Sequence, residues 1–143
     1  MDRRQFILAC CGTTSALLIA SCSNIYYATN ALSGNQISVA LSEFDETKDG
    51  VTTQRAFVLV KNEKLRFPIA VYKSPEGKYR ALYLECTHRG CEVKAASTGL
   101  QCPCHGSEFS TEGKVLNPPA EKDLAQFPVS ISGDYLLIQL SAT

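Results

Sequence analysis

An all-β domain is predicted from three features of the chain. Past residue 35 the apolar residues fall in short runs of strand length, turn-forming residues fill the gaps between runs, and no stretch keeps the 3.6-residue period of an amphipathic helix. Several short strands with regular turns point to a small antiparallel sandwich or barrel. The chain has 143 residues, 45% of them apolar, which suits one compact domain plus an extension. Its 14 basic and 14 acidic side chains balance, and it has no basic run, Gly-rich phosphate loop or heptad, so nucleic acid is not an expected partner.

The extension comes first. "MDRRQFILACCGTTSALLIASCS" sets Arg3 and Arg4 before an apolar stretch from Phe6 to Ala20, with small residues around Cys22, and so has the layout of an export signal over 1–22. Arg3 and Arg4 followed by Gln5, Phe6 and Ile7 resemble the twin-arginine motif, whose route carries cargo already folded. Ile19, Ala20, Ser21 and Cys22 resemble a lipoprotein box, in which Cys22 is lipidated and becomes the mature N-terminus. The alternative is an uncleaved membrane helix reaching through Tyr26 and Tyr27, since no charged residue lies between Arg4 and Glu43. The apolar run itself, about 15 residues, is shorter than the roughly 20 a spanning helix needs. Both readings place the body in the bacterial cell envelope, on the periplasmic or extracytoplasmic side and anchored to the membrane. Cys10 and Cys11 read as ordinary signal-segment residues.

Residues 23–35, including "YYATNALSGNQ" up to Asn35, read as a polar, small-residue linker, and the domain is expected over 36–143. Strands are predicted in Ile37 to Phe44, Ala56 to Val60, Leu65 to Lys73, Lys78 to Glu85, and Phe127 to Leu140 broken at "SGD". "SPEG" at 74–77 and "SGDY" at 132–135 supply the chemistry of two hairpin turns. On the fourth run Tyr79, Ala81 and Tyr83 share one face, with Arg80, Leu82 and Leu84 on the other. Between about 86 and 120 the pattern changes: strands become scarce while Cys, His, Gly and Pro concentrate.

That insertion contains "CTHRGC" at 86–91 and "CPCHGS" at 102–107, each with two cysteines and one of the chain's two histidines. The pair resembles the Rieske iron–sulfur family, whose motif is C-x-H-x-x-C in one loop and C-x-C-H-x-S in the next. Both halves match fully. The resemblance implies a Rieske-like fold with a two-loop cluster-binding subdomain and a [2Fe–2S] cluster held by Cys86 and Cys102 on one iron and His88 and His105 on the other. It implies that Cys91 and Cys104 form the disulfide joining the loops in the subgroup related to cytochrome bc complexes. A disulfide suits an exported protein, and would clamp two loops expected to have little core beneath them.

The chemistry of this donor set stands apart from the family name. Two neutral imidazoles in place of two thiolates remove both net negative charges of an oxidised all-thiolate cluster, so an electron is accepted more easily. Mixed ligation therefore raises the potential to roughly −150 to +300 mV, against about −400 mV for all-cysteine plant-type clusters. A structural zinc on Cys86, His88, Cys102 and His105, in a zinc-stabilised interaction module, is the bland alternative. It leaves Cys91, Cys104 and Ser107 without a role. By resemblance, Ser107 donates to a cluster sulfur and raises the potential, whereas Phe109 stands where quinol-oxidising members have a tyrosine that does the same. Arg89 replaces a family leucine at the tip, fits an apolar quinol pocket poorly, and suits docking on an acidic patch. "NPPA" at 117–120 resembles the family's proline loop, which shields the cluster.

The function implied is one-electron transfer in a respiratory or photosynthetic oxidoreductase complex, from quinol or another donor to a cytochrome or other redox protein. The competing reading is a Rieske electron-transfer partner of a non-quinol exported oxidoreductase or oxygenase. An oxygenase catalytic subunit is excluded, because it needs further histidines for a mononuclear iron and both histidines are committed. No nucleophile, base or pocket motif beyond the cluster suggests a stand-alone catalyst.

Overall fold

The computed structural model describes residues 25–141. The expected signal and anchor features, with Cys10, Cys11 and Cys22, lie outside them. The fold is all-β, with no α-helix among the described residues. Its organising element is a four-stranded antiparallel sheet in the order β12 (Gln126–Phe127), β7 (Tyr79–Tyr83), β6 (Ile69–Lys73) and β5 (Phe57–Val60). The sequences of β5 and β6, "FVLV" and "IAVYK", lack the polar alternation of a half-exposed strand because both faces are buried.

Alternate residues enter two different cores. Val58, Val60, Ile69, Val71 and Ala81 pack with Ile37, Val39, Leu136 and Ile138. The latter come from a second antiparallel sheet, β1 (Asn30–Ser33), β2 (Gln36–Ala40), β14 (Tyr135–Gln139) and β13 (Val129–Ser132). On the opposite face Phe57, Leu59, Ala70, Tyr72, Leu82 and Leu84 pack with Cys86, Cys102 and Phe109 from the inserted segment. Burying a side chain of Val, Leu or Phe size stabilises by about 1.5–3 kcal/mol, so both layers are needed to hold the central sheet.

The insertion is more regular than its composition suggests. It forms a third antiparallel sheet of short strands, β8 (Lys94–Ala96), β9 (Gly99–Gln101), β10 (Glu108–Phe109) and β11 (Val115–Asn117). Strands of two or three residues are too short to show a period. The expectation of little core beneath the two loops is also corrected, since Val93, Leu100, Phe109, Ala120 and Leu124 are each at most 4% exposed there. The Tyr72 hydroxyl donates to Ala96 O at 2.7 Å and ties this head to the central sheet.

Other boundaries shift for local reasons. The run Ile37 to Phe44 ends as a strand at Ala40 and turns through a 3-10 segment, Leu41–Phe44, that buries Phe44. Leu65 to Pro68 is not strand; β6 starts at Ile69, after Pro68, which has no N–H to donate to a ladder. Residues 45–54 form a hairpin the apolar pattern did not show, β3 (Asp45–Lys48) and β4 (Val51–Gln54), because nearly all of it faces water. Its turn, Asp49 at φ 52° and Gly50 at φ 78°, has the paired positive φ of a type I′ turn.

The predicted linker is corrected most. Within it β1 pairs with β2, and Tyr27 bridges Leu59 in parallel. Residues 26–28 are thus extended and docked, so no membrane helix reaches through Tyr26 and Tyr27. Among the described residues no helix is long and apolar enough to cross a membrane.

Two glycines separate strain from crowding. Gly77 and Gly113 have φ 78° and 81°, but a Cβ meets nothing within 4 Å at Gly77 and would lie 2.9 Å from Leu82 Cδ2 at Gly113. Leu82 is fully buried and cannot swing away. We expect Gly77→Ala to cost about 1 kcal/mol from strain alone and Gly113→Ala about 2–4 kcal/mol from strain plus overpacking, measured by urea unfolding.

Candidate metal centre

The two hexapeptides fold into the same loop. In the first, Cys86 N–H donates to Cys91 O and Gly90 N–H donates to Cys86 O, both at 2.8 Å. In the second, Cys102 N–H donates to Ser107 O at 2.8 Å and Gly106 N–H to Cys102 O at 3.0 Å. Each loop therefore closes on its first cysteine, and each needs left-handed backbone at its fifth residue. Gly90 and Gly106 supply it at φ 71° and 81°. The shared glycine position was readable in the sequence as a turn requirement.

The loops bring four donors to one end of the head. Cys86 and Cys102 are free thiols, 3% and 1% exposed, at the edge of the core. His88 and His105 stand edge-to-face, ring centroids 4.8 Å apart at 89°. His88 is half-buried and His105 exposed, so the sulfur side is dry and the imidazole side wet. Burial pushes the Cys102 thiol above its ordinary value, and the backbone N–H groups of Cys104 and His105 partly counter this. A bound cation would reverse that preference by stabilising the thiolate.

Cys91 and Cys104 are disulfide-bonded, with S–S 2.08 Å and Cα–Cα 6.5 Å. Their sulfurs and Cys102 Sγ lie within 4.8 Å of one another. Two of that trio are committed to the S–S bond, so it is not a ligand set and the disulfide acts as a brace against Cys102. The remaining donors fit a cluster with two thiolates and two imidazoles: His88 Nδ1 is buried without a hydrogen-bond partner among the described residues, an arrangement costly unless a metal or a water meets it there.

A third loop closes the site. Residues 117–120 carry a cis Pro118–Pro119 bond. Ala120 N–H donates to Ser107 Oγ at 2.9 Å, and the Thr87 hydroxyl donates to Lys122 O at 2.6 Å. One hydroxyl from each ligand loop thus holds this segment. Ser107 is fully buried, and because its oxygen accepts from Ala120 its own proton is free to donate. Thr87 carried no sequence signal, since its partner is a backbone carbonyl distant in the chain. Phe109, 1% exposed, lies in the same core as Cys86 and Cys102. Arg89, Pro103, Cys104, His105 and Pro118 are exposed at the tip.

Comparison with known proteins bears on the cofactor. Residues 39–128 match the family described as the Rieske [2Fe-2S] domain. A 55-residue segment is 44% identical to the cytochrome b6-f complex iron-sulfur subunit of Prochlorococcus marinus (strain NATL1A), covering 37% of this chain and 31% of that protein. The chain thus spans about a third of the length of such a curated relative. The crystal structure of the plasma membrane Rieske protein PetC3 from Synechocystis PCC 6803 is similar at TM-score 0.52 and 33% identity, over 59% of this chain and 86% of that one. The apo form of the quaternary ammonium Rieske monooxygenase CntA, at TM-score 0.55 and 16% identity, covers 83% of this chain and 34% of that one and shares the fold alone.

Removing the Ser107 hydroxyl leaves Ala120 N–H buried without an acceptor, so Ser107→Ala should cost about 1–3 kcal/mol in urea unfolding. It should also speed the bleaching of visible absorption, while Ser107→Thr, if accommodated, retains much of both. Replacing Cys91 and Cys104 together by alanine opens the brace and should cost about 3 kcal/mol, the loop-closure scale for a loop of this size.

Proposed function

The chain belongs to the Rieske [2Fe-2S] domain family, whose cofactor is a [2Fe–2S] cluster, and on that premise we propose that it is a one-electron carrier attached to the outer face of the cytoplasmic membrane. It serves as the electron-transfer subunit of a respiratory or photosynthetic oxidoreductase rather than as a stand-alone catalyst. The observation that carries this reading is the split environment of the four donors, with dry thiols at the core edge and paired imidazoles at the exposed tip.

Cys86 and Cys102 would hold one iron and His88 and His105 the other. The cluster, when bound, exchanges a single electron at the raised potential of mixed Cys/His ligation, roughly −150 to +300 mV. The protein supplies the rest. The central sheet fixes the thiols and excludes water behind them, the disulfide and the 117–123 segment hold the loops together, and the Ser107 proton is available to a cluster sulfur. His105 at the surface offers the short path to a cytochrome or other redox protein that electron transfer requires.

Two residues favour a donor other than quinol. Arg89 puts a charge at the exposed tip, where an apolar quinol pocket would have to desolvate it. Phe109 lacks the hydroxyl that would raise the potential. The second reading, an electron-transfer partner of a non-quinol exported oxidoreductase, rests on these. Attachment is assigned to a lipid on Cys22 or to the uncleaved apolar segment that precedes it. Purification of the native membrane complex tests the assignment: a co-migrating cytochrome b favours quinol oxidation, and the mass of the mature N-terminus decides between the two anchors.

Redox titration checks the tuning residues. Phe109→Tyr is expected to raise the midpoint potential and Ser107→Ala to lower it. An unchanged or lowered value for Phe109→Tyr would refute the role given to that position.

A further inference from the structure

The chain docks onto the domain almost as soon as it enters the described fold. Leu59 N–H donates to Tyr26 O and Ala28 N–H to Leu59 O, both at 2.8 Å, so residues 26–28 form an added parallel edge beside β5. Ala28 is 6% exposed. The Tyr26 hydroxyl donates to Glu43 Oε2 at 2.8 Å, Thr29 N–H donates to the same oxygen at 3.0 Å, and the Arg55 guanidinium lies 3.9 Å from the Tyr26 ring centroid. Backbone pairing, a shared carboxylate and a stacked cation all hold this segment to the domain.

Register then places the point of entry relative to the head. Tyr27 is level with Leu59, and through the ladder with Ala70 and Leu82; Ile25 is accordingly level with Phe57, Tyr72 and Arg80. β7 runs away from that level and leads into Cys86, about 20 Å further along an extended chain. The second ligand loop and the 117–123 segment lie at the same far end, because the disulfide ties the second loop to the first and hydrogen bonds tie the segment to both. Entry and tip occupy opposite poles.

Little chain remains to bridge that separation. From a lipid on Cys22 to Ile25, the residue that marks the entry level, the backbone reaches at most about 11 Å, and from the end of the apolar run at Ala20 about 18 Å, however it is arranged. Neither exceeds the span from entry to Cys86, before the loops themselves and the headgroup layer are added. The domain can tilt, but it cannot turn its tip down onto the bilayer.

We propose that the attachment holds the ligand loops up from the membrane, so that the redox partner meets them from the aqueous side. That partner is a water-soluble or peripheral one-electron carrier, not a quinol held within the bilayer. The inference rests on the membrane attachment proposed above. It converts the corrected linker into a limit on reach, and the exposed Arg89 and His105 suit an aqueous encounter.

Pulsed EPR on the full-length holoprotein tests the placement, using phosphatidylcholine–phosphatidylglycerol vesicles that carry nitroxide-labelled headgroups. The reduced cluster should show no population of headgroup distances shorter than about 10 Å, the contact range of an inverted domain, because tilting lowers the tip without pressing it onto the surface. Inserting a Gly-Ser segment of about twelve residues between Ser23 and Asn24, ahead of the described residues, should add a near population. A near population in the unmodified protein overturns the proposal, and so does an insertion that changes nothing. Co-sedimentation with vesicles separates the two premises: protein left in the supernatant refutes attachment and the proposal with it, whereas sedimenting protein with a near tip refutes the proposal alone.

Discussion

The central sheet has no face left for water, and from that constraint the architecture follows. Val58 and Val71 look toward one layer while Leu59 and Tyr72, their neighbours in sequence, look toward the other. A strand that buries alternate residues in two separate cores is stable only when both layers are in place. The head is therefore not an appendage on a finished domain. Cys86 and Cys102 belong to the same buried cluster as Leu82 and Leu84, so the residues that anchor the loops also complete the fold.

The head keeps its donors apart by environment. Its two loops share a hydrogen-bonding scheme and a left-handed glycine, the disulfide crosses between them, and a third segment is held by one hydroxyl from each. Thiols sit where water is absent and imidazoles where it begins. A redox centre needs both conditions, since a dry sulfur side limits the solvation change on electron transfer and an exposed ligand shortens the path to a partner.

What the sequence revealed tracks how locally each feature is encoded. The long apolar runs and the "SPEG" and "SGDY" turns marked their strands because burial and turn chemistry act over a few residues. The four candidate donors stood out because each of the chain's two histidines lies in a short segment with two cysteines. The exposed hairpin over 45–54 had no apolar pattern, although Asp49–Gly50 carried a turn signal that stood alone. Strand β1 hid inside small and polar residues, since an edge strand facing water needs little else. Thr87 was invisible for a different reason: its partner, Lys122 O, is 35 residues away and has no side-chain identity to read.

The repeated build of the head also decides where evolution or an engineer can change its length. Each ligand loop is followed by a short hairpin, β8–β9 after the first and β10–β11 after the second, so the head is one module used twice in tandem. Both hairpins turn back at the end remote from the loops, at Ser97–Thr98 and at Thr111–Glu112, where the chain is exposed or half-exposed. Extra residues at the Ser97–Thr98 bend would extend into solvent while the strands kept their register, whereas the second bend is held by buried Gly113 against Leu82 and by Gln126 Nε2 donating to Glu112 O. Grafts at the first bend could give the protein new contacts without disturbing the residues that define its redox site.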